Sequence, residues 1–126
     1  MKYKLLVLDV DGTLLNDAKE ISKRTLASLL KVQQMGIRVA LASGRPTYGL
    51  MPLAKTLELG NYGGFIISYY GGQIINAQNG EILFERRINP EMLPYLEKKA
   101  RKNNFAIFTY HDDTCLLYTS PSPRDI

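Results

Sequence analysis

The chain has one cysteine, Cys115, and one histidine, His111, in 126 residues. A single thiol excludes an internal disulfide and a cysteine-rich metal site. A lone histidine at an exposed strand end is read as structural or solvated, not catalytic. Long apolar runs are missing as well. The four aliphatic residues Leu5-Leu6-Val7-Leu8 fall far short of the roughly 20 needed to cross a bilayer. Asp9 and Asp11 then interrupt the run, so neither a signal peptide nor an anchor is expected, and the protein is read as cytoplasmic with no membrane partner. Acids are outnumbered, 12 against 16 Lys and Arg, for a formal charge of +4. The positives are scattered, however, and the densest cluster (Lys98, Lys99, Arg101, Lys102) suits a solvated helix face, so no nucleic-acid partner is expected. No internal repeat is present. At 45% apolar and 22% charged residues, the composition is that of an ordinary globule with room for one modest domain.

The most informative stretch is the aliphatic run followed by Asp9-Val10-Asp11-Gly12-Thr13. It reads as a strand buried on both faces, as in the middle of a parallel sheet, and the carboxyl ends of such strands are where open α/β sheets bind ligands. With the strand ending near Asp9, Asp9 and Asp11 lie two apart and on one side, and Gly12 lets the chain turn beside them. Two carboxylates facing one crevice repel unless a cation or a shared proton relieves them, and a hard metal such as Mg²⁺ is the simplest such cation.

Leu14 to Glu20 reads as a loop. Ser22 caps a helix with Ile21 stapled toward Leu26, its buried stripe is Leu26, Leu29 and Leu30, and Gly36 ends it. Ile37 to Ala42 is a second strand, joined to the first by a right-handed parallel crossover. It delivers Ser43, Gly44 and Arg45 to the same sheet end as Asp9. A helix follows from Pro46 to about Gly60, bent or delayed by Pro52. Phe65 to Ser68 is a third strand, and Asn79-Gly80 marks a hairpin between Gln73–Asn76 and Glu81–Glu85. Asn89 caps a further helix to about Asn103, and Phe105 to Tyr110 is a strand.

Asp9-Val10-Asp11-Gly12-Thr13 after a buried strand, with Leu41-Ala42-Ser43-Gly44-Arg45-Pro46 in register behind it, resembles the haloacid dehalogenase-like (HAD) phosphatases of the Cof-type branch. The resemblance covers residues 1 to about 114. It implies an α/β fold with a Rossmann-like parallel core, partial here and spanning residues 1–84, and the beginning of an inserted α/β cap over residues 85–114. It also implies a Mg²⁺-dependent phosphatase acting on a small phosphorylated metabolite. Asp9 would be the nucleophile that forms an aspartyl-phosphate and a metal ligand. Asp11 would be the general acid and base, with its backbone carbonyl on the metal. Ser43, Gly44, Arg45 and Thr13 would bind phosphate; read from the residues alone, Ser43 is equally a helix cap, and the alternative for Thr13 is a brace of the turn. For this division of labour Asp11 needs a proton at working pH while the metal keeps Asp9 ionised.

The chain departs from the family in two places. Tyr70-Gly71-Gly72 stands where the Cof-type pattern has Asn-Gly, and the family's third-motif lysine and fourth-motif acidic pair are absent. Neither Lys98 nor Asp112-Asp113 is suitably placed to substitute, since all lie in the expected cap. From Cys115 to Asp125 the sequence CLLYTSPSPRD matches a one-frame translation of the transposase adapter of short-read DNA libraries. Residues 115–126 are accordingly expected to be a non-native, poorly packed tail without function. On this reading the chain itself is expected to be inactive. The competing readings are a receiver-like module that holds a phosphoryl group without turning it over, and an inactive structural remnant.

Overall fold

A computed structural model of the chain describes residues 2–111 and 114–119. The chain divides into two units, one through Arg86 and one from Arg87 on.

The first unit is a five-stranded sheet in the order β1 (Leu5–Asp9), β2 (Arg38–Ala42), β3 (Phe65–Ser68), β4 (Gln73–Asn76), β5 (Ile82–Glu85). The first three strands are parallel, and β4 and β5 return antiparallel. Helix α1 (Lys23–Gln34) connects β1 to β2, and α2 (Thr47–Thr56) connects β2 to β3. Ser22 caps α1, its Oγ accepting from the Thr25 amide at 3.2 Å, and Gly36 turns the chain out of the helix at φ +93°, as its missing Cβ allows. Leu29 of α1 and Leu50 and Ala54 of α2 pack with Val39, Leu41 and Ile66 of the sheet in one core cluster. Each fully buried leucine or isoleucine there contributes about 1.5–3 kcal/mol relative to exposure.

Two elements, β1 and α2, depart from expectation. β1 is not buried on both faces: it is the edge strand, its burial alternates, and Leu5 and Val7 are about half exposed. The core cluster gathers on the face that carries Leu6 and Leu8, since consecutive right-handed crossovers in one direction place their helices on the same side of a sheet. Helix α2 is not delayed by Pro52, which lies inside it, and it ends at Thr56 instead of near Gly60. The chain leaves the helix through Glu58 in a left-handed conformation (φ 56°) and makes a single tight turn over Leu59–Asn61. The hairpin expected around Asn79-Gly80 does form, β4 and β5 being joined by the five residues 77–81 with only Gly80 at positive φ (+75°). Asn76 and Asn79 brace it by accepting the amides of Gln78 and Glu81.

In the second unit, Asn89 Oδ1 accepts from the Glu91 amide at 3.0 Å. A single turn, Pro90–Met92, then leads into α3 (Leu93–Lys102). Lys98, Lys99, Arg101 and Lys102 are all exposed, and Lys99, Arg101 and Lys102 stand in the last turn, where cations meet the negative helix end. Strand β6 (Ile107–His111) pairs antiparallel with β7 (Thr114–Thr119). Cys115 and Leu116 of β7 are exposed. A run such as Cys-Leu-Leu-Tyr-Thr has high strand propensity and pairs with an open edge whatever its origin. Residues 120–126, and Asp112 and Asp113, lie outside the described residues. Among the described residues no helix is long and apolar enough to cross a membrane.

Candidate active site

The register Asp9↔Ala42 and Ala42↔Ile67 aligns the carboxyl ends of β1, β2 and β3. Three loops meet there. After β1, Val10 is fully buried and acts as a pin. Its carbonyl accepts the amides of Thr13 and Leu15, the carbonyl of Asp9 accepts that of Leu14, and Leu14 and Leu15 sink into the core. Gly12 takes φ +81° to close this tight loop. The alternation leaves Asp9 and Asp11 both exposed, as the spacing predicts.

The two carboxylates have different partners. The Thr13 hydroxyl donates to Asp9 Oδ2 at 3.3 Å. Asp11 is held by Arg45 in a two-pronged fork: Arg45 Nε donates to Oδ2 at 2.9 Å and a terminal guanidinium nitrogen to Oδ1 at 2.6 Å. Lys19 stands 3.6 Å from Oδ1. Hydrogen bonding from Arg45, reinforced by the charges of Arg45 and Lys19, holds the Asp11 carboxyl below the usual aspartate range; the same bond raises Arg45. The repulsion that makes a bound cation attractive from sequence is thus relieved at Asp11 by the protein's own cations.

A depressed carboxylate pKa contributes stability that is present above the unfolded value and lost as pH falls through the folded one. With the Asp11 side chain 43% exposed, that contribution is small, but the titration itself is measurable. Arg45→Gln moves the Asp11 midpoint upward toward the ordinary aspartate range, read by carboxyl-carbon NMR. An unmoved midpoint would mean that the fork does not form in solution.

The second loop carries Ser43, Gly44 and Arg45. Ser43 Oγ accepts the Arg45 amide at 3.1 Å, which leaves its O–H hydrogen available to donate. The third loop locks onto the second: the Tyr69 amide donates to the Arg45 carbonyl at 2.9 Å and the Tyr70 amide to the Ser43 carbonyl at 3.1 Å. The structure therefore brings Asp9 with Thr13, and Asp11 with Arg45 and, through Arg45, Ser43. Arg45 is engaged with Asp11 through Nε and one terminal nitrogen. The sequence reading missed the support behind this loop. Thr47 donates its one hydroxyl hydrogen to Gln73 Oε1, so the fully buried Ser68, 2.6 Å from Thr47, must be the donor in that pair. Gln73 Nε2 in turn donates to Glu85 Oε1 at 2.8 Å. The only available signal was the interruption of the apolar Phe65-Ile66-Ile67 run by Ser68, with Gln73 opposite it in register.

The donor set fits Mg²⁺ in kind. The Asp9 carboxylate and the Asp11 main chain offer hard, exposed oxygens, and Mg²⁺ commonly takes one or two carboxylates and keeps several waters. Among the described residues no group of three or more His, Cys, Asp or Glu side chains forms a fuller cage.

A mixed open sheet with Asp9 at the end of its first strand, Asp11 in the loop after it and a Ser-Gly-Arg loop after its second gathers these side chains at the strand carboxyl ends, where open α/β sheets bind ligands. The profile of the haloacid dehalogenase-like hydrolases matches residues 6–125, and the chain belongs to that family, in its Cof-type branch. A haloacid dehalogenase-like hydrolase from Bacteroides thetaiotaomicron superposes with a TM-score of 0.84 at 48% identity, covering 97% of this chain and 46% of that one. The 5-amino-6-(5-phospho-D-ribitylamino)uracil phosphatase YitU of Bacillus subtilis is 45% identical over 58 residues, 46% of this chain and 22% of that protein. Phosphatase YwpJ of the same organism is 34% identical over 56 residues, 44% of this chain and 20% of its own length. The chain spans about a third of the length of curated putative phosphatases that it matches.

Proposed function

We propose that the protein is a Mg²⁺-dependent phosphatase that hydrolyses a small phosphorylated metabolite through an aspartyl-phosphate on Asp9. The observation that carries this reading is the position of Asp9. Its carboxylate is exposed at the carboxyl end of β1, and one of its oxygens is held by Thr13, beside a serine-glycine loop able to donate hydrogen bonds. A carboxylate approaching a phosphate dianion at 4 Å is repelled by about 8 kcal/mol at an effective dielectric of 20, twice the unit-charge value. Arg45 and Lys19 offset part of that field. Mg²⁺, held by Asp9 and the Asp11 carbonyl, would supply the remaining charge neutralisation.

In the first half-reaction an Asp9 oxygen forms a bond to phosphorus as the bond to the leaving alcohol breaks, and the departing oxygen takes a proton. The Ser43 hydroxyl and the Gly44 amide donate to phosphoryl oxygens. In the second half-reaction water attacks phosphorus and loses a proton to a base as the bond from phosphorus to the Asp9 oxygen breaks, releasing inorganic phosphate and restoring the carboxylate. The fork from Arg45 favours Asp11 as carboxylate, the form that accepts that proton. Its proton-donating form requires Arg45 to let go, and an incoming phosphoryl group is the natural competitor for a guanidinium. The substrate class, a sugar phosphate or a phosphorylated cofactor in the cytoplasm, includes esters with a heterocyclic ring such as the one in YitU's name. Macromolecular nucleic acid is not a partner in this reading.

The test is an assay of the full protein against a panel of phosphate monoesters, with and without Mg²⁺. Multiple turnovers that depend on Mg²⁺ are the expected result. A single stoichiometric phosphorylation without turnover would favour a receiver-like module, and no phosphate chemistry on any substrate would overturn the reading.

A further inference from the structure

We propose that Tyr70 is a specificity-determining residue: an aromatic platform at the rim of the phosphoryl site that favours phosphate monoesters whose leaving group has a flat aromatic face. The inference deepens the phosphatase reading and rests on it. Tyr70 is 93% exposed, the highest value among the exposed large hydrophobic residues. Its backbone is nonetheless fixed. Tyr69 and Tyr70 both adopt φ +53°, the left-handed region that side chains other than glycine seldom occupy. Two such residues in succession cost about 1–2 kcal/mol each, and they persist because the loop is tied on both sides. The Tyr69 and Tyr70 amides donate to Arg45 and Ser43, the Gly72 amide to Tyr69, and the Arg86 amide to the Gly72 carbonyl at 2.8 Å. Strain maintained in this way at a site edge is a pointer to use.

The ring itself has a seat. A Cβ built on Gly44 would fall among the ring atoms of Tyr70, with Cε2 at 2.5 Å and Cε1 at 2.6 Å. The aromatic side chain thus lies directly over the glycine of the Ser43-Gly44-Arg45 loop. A side chain at position 44 would push the ring out of this place. A rigid apolar ring, left in water beside the loop that would hold the phosphoryl group, can stack on a planar ring carried by the substrate. Stacking of this kind is worth about 1–3 kcal/mol per base by alanine substitution.

The experiment measures binding of inorganic phosphate, benzylphosphonate and cyclohexylmethylphosphonate by calorimetry in the presence of Mg²⁺, using the wild-type chain, Tyr70→Phe and Tyr70→Ala. The two phosphonates match in charge and size and differ in flatness. The expected result is a preference for the benzyl compound on the order of five- to tenfold in wild type and Tyr70→Phe. In Tyr70→Ala the preference falls to near unity while inorganic phosphate binding is unchanged. An aromatic preference that survives in Tyr70→Ala, or an equal loss of all three ligands in that variant, overturns the platform while leaving the phosphatase reading intact. Failure of inorganic phosphate to bind the wild-type chain overturns the phosphoryl site and the platform together.

Discussion

On the proposed mechanism, replacing Asp9 with asparagine lowers Mg²⁺-dependent phosphate release by the full protein by a factor of roughly 10⁴ or more, the scale seen when a catalytic nucleophile is removed. The amide keeps the volume of the carboxylate and can still accept the Thr13 hydroxyl, so the β1 turn has no reason to rearrange. Lost instead are the nucleophilic oxygen and the negative charge that would hold the cation. Asp11→Asn behaves differently. It leaves the nucleophile in place and removes the proton carrier, so a labelled aspartyl-phosphate forms slowly and persists. It also replaces the ionic fork from Arg45 with at most a neutral hydrogen bond, freeing the guanidinium for phosphate. Equal urea midpoints for the variants and the parent would show that the losses are chemical. Substantial turnover by Asp9→Asn removes Asp9 from the nucleophile role, and unchanged turnover by Asp11→Asn removes Asp11 from acid and base work.

What could be read from sequence was local. The end of β1 at Asp9, the Ser22 cap and the left-handed Gly36 each depend on a few neighbouring residues whose chemistry has one economical solution. Strand–helix–strand alternation then fixed the parallel pairing of β1 with β2 and so the meeting of the Asp9 and Ser43 loops. The missed features depend on contacts between distant residues. Arg45 and Asp11 are 34 residues apart, and nothing in either motif says that the guanidinium turns to the carboxylate instead of standing free. Gln33 reads as a polar position on α1, yet it is buried because its Nε2 donates to the Leu57 carbonyl at 2.8 Å, beyond the end of α2. The Thr47-Ser68-Gln73-Glu85 chain joins α2 to three strands and leaves no periodic trace. β1 misled in another way, because a continuous aliphatic run cannot say which of its two faces is covered.

That uncovered face yields the second large effect. Leu41→Ala lowers stability by about 2–5 kcal/mol, a large part of the roughly 5–15 kcal/mol available to a domain. Leu41 is fully buried, lies opposite Leu8 and Ile66 in the parallel ladder, and belongs to the core cluster beneath α1 and α2. Neighbours on two strands and the helices cannot all close the space that its isobutyl group vacates. Val7→Ala, on the adjacent edge strand, removes a side chain already 49% exposed, so it forfeits little transfer energy and leaves no cavity; its cost is under about 1 kcal/mol. Urea unfolding of the two variants beside the parent separates them, with a midpoint fall of about 1–2 M for Leu41→Ala at typical slopes. Because Leu41 directly precedes Ala42 and the Ser43 loop, the same variant should weaken phosphate binding wherever the native fraction falls. A Leu41→Ala cost below about 1 kcal/mol would contradict its place in the core. A Val7→Ala cost equal to that of Leu41→Ala would show that the outer face of β1 is covered in solution, against the half-exposed strand that the structure shows.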